Sequence, residues 1–222
     1  MAYRKTDREL DRLRQRRESI VAAASSVVQR AGFGGAKARE TAEAAGVSVG
    51  SLYSNFDGID GLHVEVFRSL AERELRRVAH DVDDAARPRD ALVALVQGFG
   101  ARCLAAPMVA WALLLEPVSP AIETLRLRYR RDYADLVASV IRDGISTGEF
   151  GFQAVEISAP AIVGAIAESL VRPLDPFVRN DFTGDTDAVP IGAGLIDEIA
   201  QFCLRAVGAE PAQTGPTTPG RP

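Results

Sequence analysis

The chain of 222 residues is poor in the side chains that carry out chemistry: it has two cysteines, two histidines and one tryptophan. Cys103 and Cys203 lie far apart in the sequence, which argues against a disulfide framework. His63 and His80 have no metal-ligand spacing to each other or to a cysteine. Residues Gly32–Gly35 lack the preceding strand and the Lys-Ser/Thr pair of a phosphate-binding loop. We therefore expect no catalytic residues, no metal site and no cofactor, and no enzymatic activity.

Long apolar runs are also missing. The most apolar stretch, Ile157–Val171, is shorter than a membrane span and contains Glu168. The first residues, Met1–Lys5, lead into charged sequence without an apolar signal region. With 47% hydrophobic and 25% charged residues, the composition is that of a globular protein. The chain is therefore predicted to lie in the cytoplasm, with no membrane partner.

The formal net charge of −4 does not exclude a nucleic-acid partner. Whole-chain charge is a poor guide wherever a small DNA-binding domain is joined to a larger acidic one. Between residues 4 and 18, seven basic side chains outnumber four acidic ones. The seven are Arg4, Lys5, Arg8, Arg12, Arg14, Arg16 and Arg17. This segment is either a solvated helical lead-in or a basic arm that lies beside the DNA backbone or in the minor groove.

Residues Arg39–Phe56 have the pattern of two short helices joined by a tight turn. Gly46 stands where a left-handed residue ends the first helix, and Ser48 is a suitable N-cap for the second. Leu52 and Phe56 are four residues apart, which predicts the buried face of the second helix. The pattern is that of a helix-turn-helix. It leaves these side chains for solvent or a partner: Val49, Gly50, Ser51, Tyr53, Ser54 and Asn55.

These residues also carry a resemblance to a known family. The run Ala44-Ala45-Gly46-Val47-Ser48, followed by Gly50-Ser51-Leu52-Tyr53 and Phe56, resembles the signature of the TetR (tetracycline repressor) family of bacterial regulators. Upstream residues fit the same pattern: Ile20, Ala23, Ala24, Gly32 and Phe33. The resemblance is specific over roughly the first quarter of the chain. It implies an all-α fold, with an N-terminal three-helix helix-turn-helix domain and a C-terminal helical domain for ligand binding and dimerisation.

The resemblance also implies roles for particular residues. Val49, Gly50, Ser54 and Asn55 would face base edges, Ser48, Ser51 and Tyr53 would contact phosphates, and Arg39 would reach a base. The sequence departs from the family pattern at three places: Ala36-Lys37 replaces threonines, Thr41 replaces an aliphatic residue, and Ile59-Asp60 replaces a Lys-Glu pair. The phosphate-binding lysine is thus missing, which predicts weaker DNA binding unless the basic arm compensates.

The rest of the chain predicts helices only. A connector helix covers about residues 59–80, and body helices follow at about 89–104, 107–115, 120–146, 153–170 and 191–207, with a polar loop at 180–188. The predicted domains are a DNA-binding head with its basic arm (1–65), an effector-binding and dimerisation body (66–208) and a disordered Pro/Thr/Gly tail (209–222).

Six body residues are candidates for an effector site. By the resemblance, an effector cavity would be formed by segments that carry Phe99, Cys103, Trp111, Tyr129 and Tyr133, with core packing as the alternative. Glu168 lies in an apolar run and is costly to bury unpaired, so it would pair across the dimer, bind Arg102 or Arg126, or face the cavity. Arg126, Arg130 and Glu123 share a helix face, which predicts a solvated ion-pair surface, with contact to an anionic effector such as an acyl thioester as the alternative.

The sequence together with the resemblance predicts a ligand-responsive homodimer that regulates transcription. It would be a repressor that binds a palindromic double-stranded DNA operator and is released by a small, largely apolar effector. The resemblance places the dimer interface on the last two long helices. The alternative is a helical dimer that binds a small molecule or a protein and has weak or lost DNA binding. A helical enzyme, a third hypothesis, has only Glu168 and the two histidines in its favour.

Overall fold

A computed structural model of the chain describes residues 7–176 and 193–209. Every regular element in these two ranges is a helix, and the predicted all-α fold class is confirmed. The N-terminal head contains α1 (Asp7–Gly35), α2 (Ala38–Ala44) and α3 (Val49–Asn55). The long helix α4 (Gly58–Asp83) then runs from the head into the body.

The body is built by the remaining helices at positions close to those expected from the sequence. They are α5 (Pro88–Ala105), α6 (Pro107–Leu114), α7 (Pro120–Thr147), α8 (Val155–Ser169), the single turn α9 (Val171–Leu174) and α10 (Ala193–Ala206). The predicted polar loop at 180–188, the predicted start of the last helix at residue 191 and the tail from residue 210 lie outside the described residues.

Several helix ends coincide with residues that the sequence marks. Ser119 precedes α7, and Pro120 occupies its first turn, where the missing proline N–H removes no intrahelical bond. Gly148 ends the same helix. Gly144 lies inside α7, close to the ring of Phe150. A side chain at this position would displace that ring.

Two apolar cores organise the chain. The head core includes Ile20 of α1 and Leu52 of α3, both without solvent exposure. The same cluster extends into the body, because Ala112 of α6 and Ile122 and Tyr129 of α7 belong to it. The corner between α6 and α7 therefore packs directly beneath the head.

The body core lies between α5, α7, α8 and α10. Gly100 of α5 lets that helix approach Ile196 of α10 so closely that a Cβ atom at position 100 would overlap the isoleucine side chain.

Among the described residues, no single helix is long and apolar enough to cross a membrane. The pair α5 and α6 together has sufficient length and apolar composition, but the two helices are bent by 111°.

The predicted boundary between head and body, after residue 65, falls inside α4. Val66 and Phe67 of this helix belong to the head core, and Val78 belongs to the body core. Ala209, the first residue of the predicted tail, still packs against the body core. The division into domains remains a prediction, with α4 as the element that the two parts share.

Candidate functional site

The turn between α2 and α3 is held by backbone hydrogen bonds around Gly46. The Gly46 N–H donates to the carbonyl of Glu43 at 3.1 Å, and the Val47 N–H donates to that of Ala42 at 2.9 Å. Gly46 has a φ of +63°, a conformation that glycine adopts without a Cβ clash. The Ser48 hydroxyl accepts the Ser51 N–H at 3.1 Å and caps α3. The predicted turn and cap are both present.

We call α3 the recognition helix. Leu52 is fully buried and the ring of Phe56, the residue that follows the helix, is 5% exposed, so the inner face is the predicted one. On the outer face, Val49 is 37% exposed and Tyr53 is 51% exposed. The other predicted contact residues also reach the surface: Arg39, Ser48, Gly50 and Ser54 are exposed, and Ser51 and Asn55 are half-buried. The eight candidates therefore form one accessible surface, here called the recognition surface.

Two polar side chains of the recognition surface bond to their own helix. The Ser54 hydroxyl donates to the Ser51 carbonyl at 2.8 Å, and the Asn55 amide donates to the same carbonyl at 2.7 Å. A Cβ atom at Gly50 would meet only the Ser48 hydroxyl, 3.9 Å away. The helix can thus approach another surface closely at Gly50.

Arg17, one of the basic residues of the predicted arm, makes contacts within the head and keeps a side chain that is 41% exposed. Its Nη1 donates to the backbone carbonyl of Asn55, the last residue of the recognition helix, and its Nε donates to Glu65 of α4 at 3.2 Å. Its Cζ lies 4.3 Å from the centroid of the Phe56 ring. Arg17 therefore ties the C-terminal end of the recognition helix to α1 and α4. Sequence charge alone could not separate it from its basic neighbours.

The other basic residues of the arm within the described chain are exposed: Arg8, Arg12, Arg14 and Arg16. Arg14 pairs with Asp11 at 2.9 Å, and both side chains are more than half exposed. Arg4 and Lys5 lie outside the described residues. The basic arm remains a prediction for all seven residues, of which Arg17 also has a structural role in the head.

Two of the three departures from the family pattern lie in α2 or just before it. Lys37 is the N-cap of α2 and makes no side-chain capping bond. Thr41 is fully buried, and its hydroxyl lies 3.4 Å from the Ala36 carbonyl. The same carbonyl is 2.8 Å from Nε2 of His63, whose ring packs edge-on against Phe33 with centroids 5.2 Å apart. His63 is therefore a packing residue of the head, as its sequence context indicated.

The body contains a mainly apolar cavity of about 190 Å³ bordered by α4, α5, α6, α7 and α8. An apolar cavity of about 150 Å³ holds a benzene-sized molecule, whereas drug-sized ligands occupy about 300–1,000 Å³. A larger ligand must therefore extend through the open side. Three residues of the cavity lining are exposed arginines: Arg73, Arg77 and Arg130.

Four of the six predicted effector residues line this cavity: Phe99, Cys103, Tyr129 and Tyr133. The other two do not. Trp111 is half-buried outside the lining, because α6 directs other side chains to the cavity. Glu168 lies exposed on α8, so the carboxylate keeps its hydration instead of facing the cavity. Pairing of Glu168 across a dimer remains a prediction.

A polar cluster interrupts the apolar wall. Arg102 donates from Nε to Glu74 at 2.6 Å and from Nη1 to Asp81 at 2.8 Å. Burial opposes the charge of Arg102, but these carboxylates outweigh it and raise the pKa of the guanidinium. Burial raises the pKa of Cys103 to about 12 and also raises the pKa of Tyr133, so both groups are neutral. Arg102 thus pairs with acidic residues of α4, and not with Glu168 as one sequence alternative held.

Arg126 is not part of a solvated ion-pair surface, which corrects the prediction from its helix face. Its side chain is 10% exposed, and Nη1 donates to Glu123 at 2.6 Å. Nε donates to the carbonyl of Leu113 at 2.9 Å, and Nη2 donates to that of Glu116 at 2.8 Å. Burial lowers its pKa. Arg126 therefore fixes the end of α6, and it also lines the cavity.

Glu116 was missed in the sequence. It lies between α6 and α7 with 9% exposure, and its carboxylate accepts backbone N–H groups of Phe33 and Gly34 in the head. The sequence signal that marks it is a charged residue between an apolar run and Pro117.

In residues 7–176 and 193–209, no group of three or more His, Cys, Asp or Glu side chains could hold a metal ion.

These observations define a class of protein: a helix-turn-helix head with an exposed recognition helix, joined to a helical body with a cavity. Residues 20–66 match the family described as bacterial regulatory proteins, tetR family. The resemblance is thereby confirmed: the chain carries the DNA-binding domain of the TetR family of bacterial transcriptional regulators. No curated protein matches the chain.

Solved structures share the fold over most of the chain. The fatty acid degradation regulator FadR from Bacillus halodurans is 20% identical, with a TM-score of 0.65 over 84% of this chain and 97% of that one. FadR from Bacillus subtilis, in complex with stearoyl-CoA, is 18% identical, with a TM-score of 0.67 over 86% and 98%. A tetR-family regulatory protein from Rhodococcus RHA1 is 18% identical, with a TM-score of 0.63 over 88% and 98%. Each of these three proteins is described as a regulator or regulatory protein.

Proposed function

We propose that this chain is a ligand-responsive transcriptional regulator that acts as a dimeric repressor on a near-palindromic DNA operator. The observation that carries the proposal is the recognition helix, which is capped by Ser48 and anchored by Leu52 and presents Val49 and Tyr53 outward. A short helix with small and polar side chains fits the major groove, where base edges are read. Since a bacterial operator lies on the chromosome, the protein would act in the cytoplasm.

Each part of the recognition surface would have a distinct task. The small or polar side chains at Val49, Gly50, Ser54 and Asn55 suit contacts with base edges, and the open space at Gly50 allows close approach. Ser48, Ser51 and Tyr53 carry hydroxyls that suit phosphate oxygens. Arg39, exposed on α2, would reach a base or the backbone beside them. Phosphate contacts set position and salt dependence, and base contacts set sequence preference.

A second copy of the chain would cover the outer faces of α8 and α10. Ile157 on α8 is 71% exposed and Phe202 on α10 is 50% exposed, and large apolar side chains on neighbouring helices favour burial against a partner. Such a dimer would place two recognition helices about one helical turn apart, roughly 34–36 Å, on one DNA face.

The cavity would bind the effector, a molecule with a large apolar part. Its apolar wall suits an alkyl chain, and the exposed arginines of its lining, Arg73, Arg77 and Arg130, suit an anionic head group outside. The stearoyl-CoA bound by the similar Bacillus subtilis regulator is a ligand of this kind. A ligand that prefers the body conformation with displaced heads would lower operator affinity, by no more than its differential affinity for the two states.

A gel shift with DNA from upstream of the protein's own gene tests operator binding. We expect a salt-sensitive, sequence-specific shift that Tyr53→Ala abolishes. Leu127→Ala is the matched control, because Leu127 lies on α7 and is 50% exposed, against 51% for Tyr53. Loss of the shift in both variants, or in neither, would contradict the assignment of the recognition surface.

Thermal unfolding with stearoyl-CoA tests the effector proposal. We expect stearoyl-CoA to raise the unfolding temperature and coenzyme A alone to leave it unchanged, since only the former has a chain for the cavity. Arg73→Ala and Arg130→Ala should weaken the effect. Stabilisation by coenzyme A alone would indicate a surface site instead.

The alternative function is a helical dimer that binds a small molecule or a protein and has weak or lost DNA binding. The observation that favours it is Ile59-Asp60 at the start of α4, where the family pattern has a phosphate-binding lysine. This function predicts stabilisation by a ligand without a specific gel shift at low salt. The two assays above therefore separate the two functions.

A further inference from the structure

Glu116 is a buried carboxylate that belongs to the body and bonds to the head. Its Oε2 accepts the Phe33 N–H at 2.8 Å and its Oε1 accepts the Gly34 N–H at 2.8 Å. Gly32, with φ +66° and ψ −176°, interrupts α1 just before these two N–H groups. The carboxylate thus completes the start of the last turn of α1 across a sequence separation of more than 80 residues.

The contact requires a particular residue on both sides. A Cβ atom at Gly32 would lie 2.8 Å from both carboxylate oxygens of Glu116, and the positive φ at this position already disfavours other residues. A neutral or shorter side chain at position 116 could not accept two N–H bonds in the same geometry. We call this contact the Glu116 clamp.

The body holds the clamp through Arg126. Arg126 donates to the backbone carbonyl of Glu116 at 2.8 Å and to that of Leu113 at 2.9 Å. The negative charge of Glu116 also favours the charged form of Arg126. Leu113, Leu114 and Arg126 line the effector cavity. A molecule that moves the end of α6 would therefore move the residue that carries the clamp.

We propose that Glu116 is a positioning residue that sets the orientation of the DNA-binding head on the body and transmits displacement of the α6 end to the head. The role in DNA binding rests on the proposed function, whereas the clamp itself does not. Apolar packing of α1 on α6 alone is the competing explanation of the head's position. The first explanation requires the Glu116 carboxylate to hold the head in its orientation, whereas the second does not.

Amide hydrogen exchange on the free protein tests the clamp without DNA or effector. We expect Glu116→Gln to raise the exchange rates of the Phe33 and Gly34 amides at least tenfold, because the glutamine NH₂ cannot accept one of the two bonds. Glu123→Gln is the matched control, since Glu123 also pairs with Arg126, whereas the Phe33 and Gly34 N–H groups bond to Glu116. Unchanged exchange in Glu116→Gln would overturn the proposal. Should that variant fail to fold, Glu116→Asp, which withdraws the carboxylate by one methylene, must give the same increase.

Operator affinity then separates positioning from mere stabilisation. At a temperature where circular dichroism shows both variants folded, we expect Glu116→Gln to change operator affinity at least tenfold and Glu123→Gln to stay within twofold of the wild type. Loss of stability with unchanged operator affinity would refute the positioning role. If the wild type itself binds no DNA, the proposed function fails, and the exchange result still decides the clamp.

A third measurement links the clamp to the cavity. Stearoyl-CoA at saturating concentration should raise the exchange rates of the Phe33 and Gly34 amides in the wild type. Bound stearoyl-CoA with no change at these two amides would overturn transmission through the α6 end. Absence of stearoyl-CoA binding would count against the effector class alone, since the variant data on the free protein stand without it.

Discussion

Replacing Arg17 by alanine should destabilise the head although the residue lies in a segment that looks like a DNA-binding arm. The substitution removes the charged hydrogen bond to the Asn55 carbonyl, the ion pair with Glu65 and the contact with the Phe56 ring. The recognition helix would then lose the group that satisfies its last backbone carbonyl. The expected consequence is a loosened C-terminal end of α3.

The size of the effect follows from these contacts. A hydrogen bond from a charged donor stabilises by about 1.5–3 kcal/mol, and partial exposure places this one at the lower end. The ion pair is between side chains that are 41% and 28% exposed, so it adds no more than about 0.5 kcal/mol, with a similar amount from the cation–π contact. We expect a loss of about 2 kcal/mol, or about 4–8 °C in unfolding temperature for a domain of this size.

Thermal unfolding and the salt dependence of operator binding are the two assays. The control is Arg14→Ala, because Arg14 is 69% exposed and pairs with an exposed aspartate, which should change stability by less than about 0.5 kcal/mol. If the exposed arginines contact phosphates, Arg14→Ala should lower the slope of log affinity against log salt by about 0.9. Equal unfolding temperatures for the two variants, or a lower salt slope for Arg17→Ala, would refute the structural role of Arg17.

Three further predictions concern the body. Gly100→Val should cost about 1–3 kcal/mol in urea unfolding by overpacking against Ile196, and full stability would contradict the close approach of α5 and α10. Burial raises the pKa of Cys103 to about 12, against 9.0 for a free thiol. The unfolded chain therefore loses this proton first, and the free energy of unfolding should fall from about pH 9 toward pH 12. Cys103→Ala should flatten that fall, and an unchanged slope would contradict the contribution of the buried thiol. Ile157→Glu combined with Phe202→Glu should give a monomer in light scattering, and a dimer in this double variant would contradict the proposed interface.

The helix-turn-helix could be predicted from the sequence because its determinants are local. Gly46 and Ser48 fix the turn and the cap within a few residues, and the spacing of Leu52 and Phe56 fixes the buried face. The body helices were predictable for the same reason, since apolar periodicity and proline mark their extent.

The roles of charged residues could not be predicted in this way, because they depend on partners distant in sequence. Arg17 and Arg14 have the same local context, but only Arg17 meets Glu65 and the end of α3. Arg126 lies in a dense basic run that resembles a solvated face, yet the corner at the end of α6 covers it. Glu168 occupies an apolar run, but its face of α8 is exposed in the single chain.

Phe67 and Tyr129 are each part of two structures at once. Their rings pack together in the core beneath the head, with centroids 6.2 Å apart, and both border the body cavity. A substitution at either position that changes the cavity to admit a different molecule would therefore also change the packing of the core beneath the head. Changes in ligand range that leave the head intact should instead occur on the opposite wall, at α5 and α8.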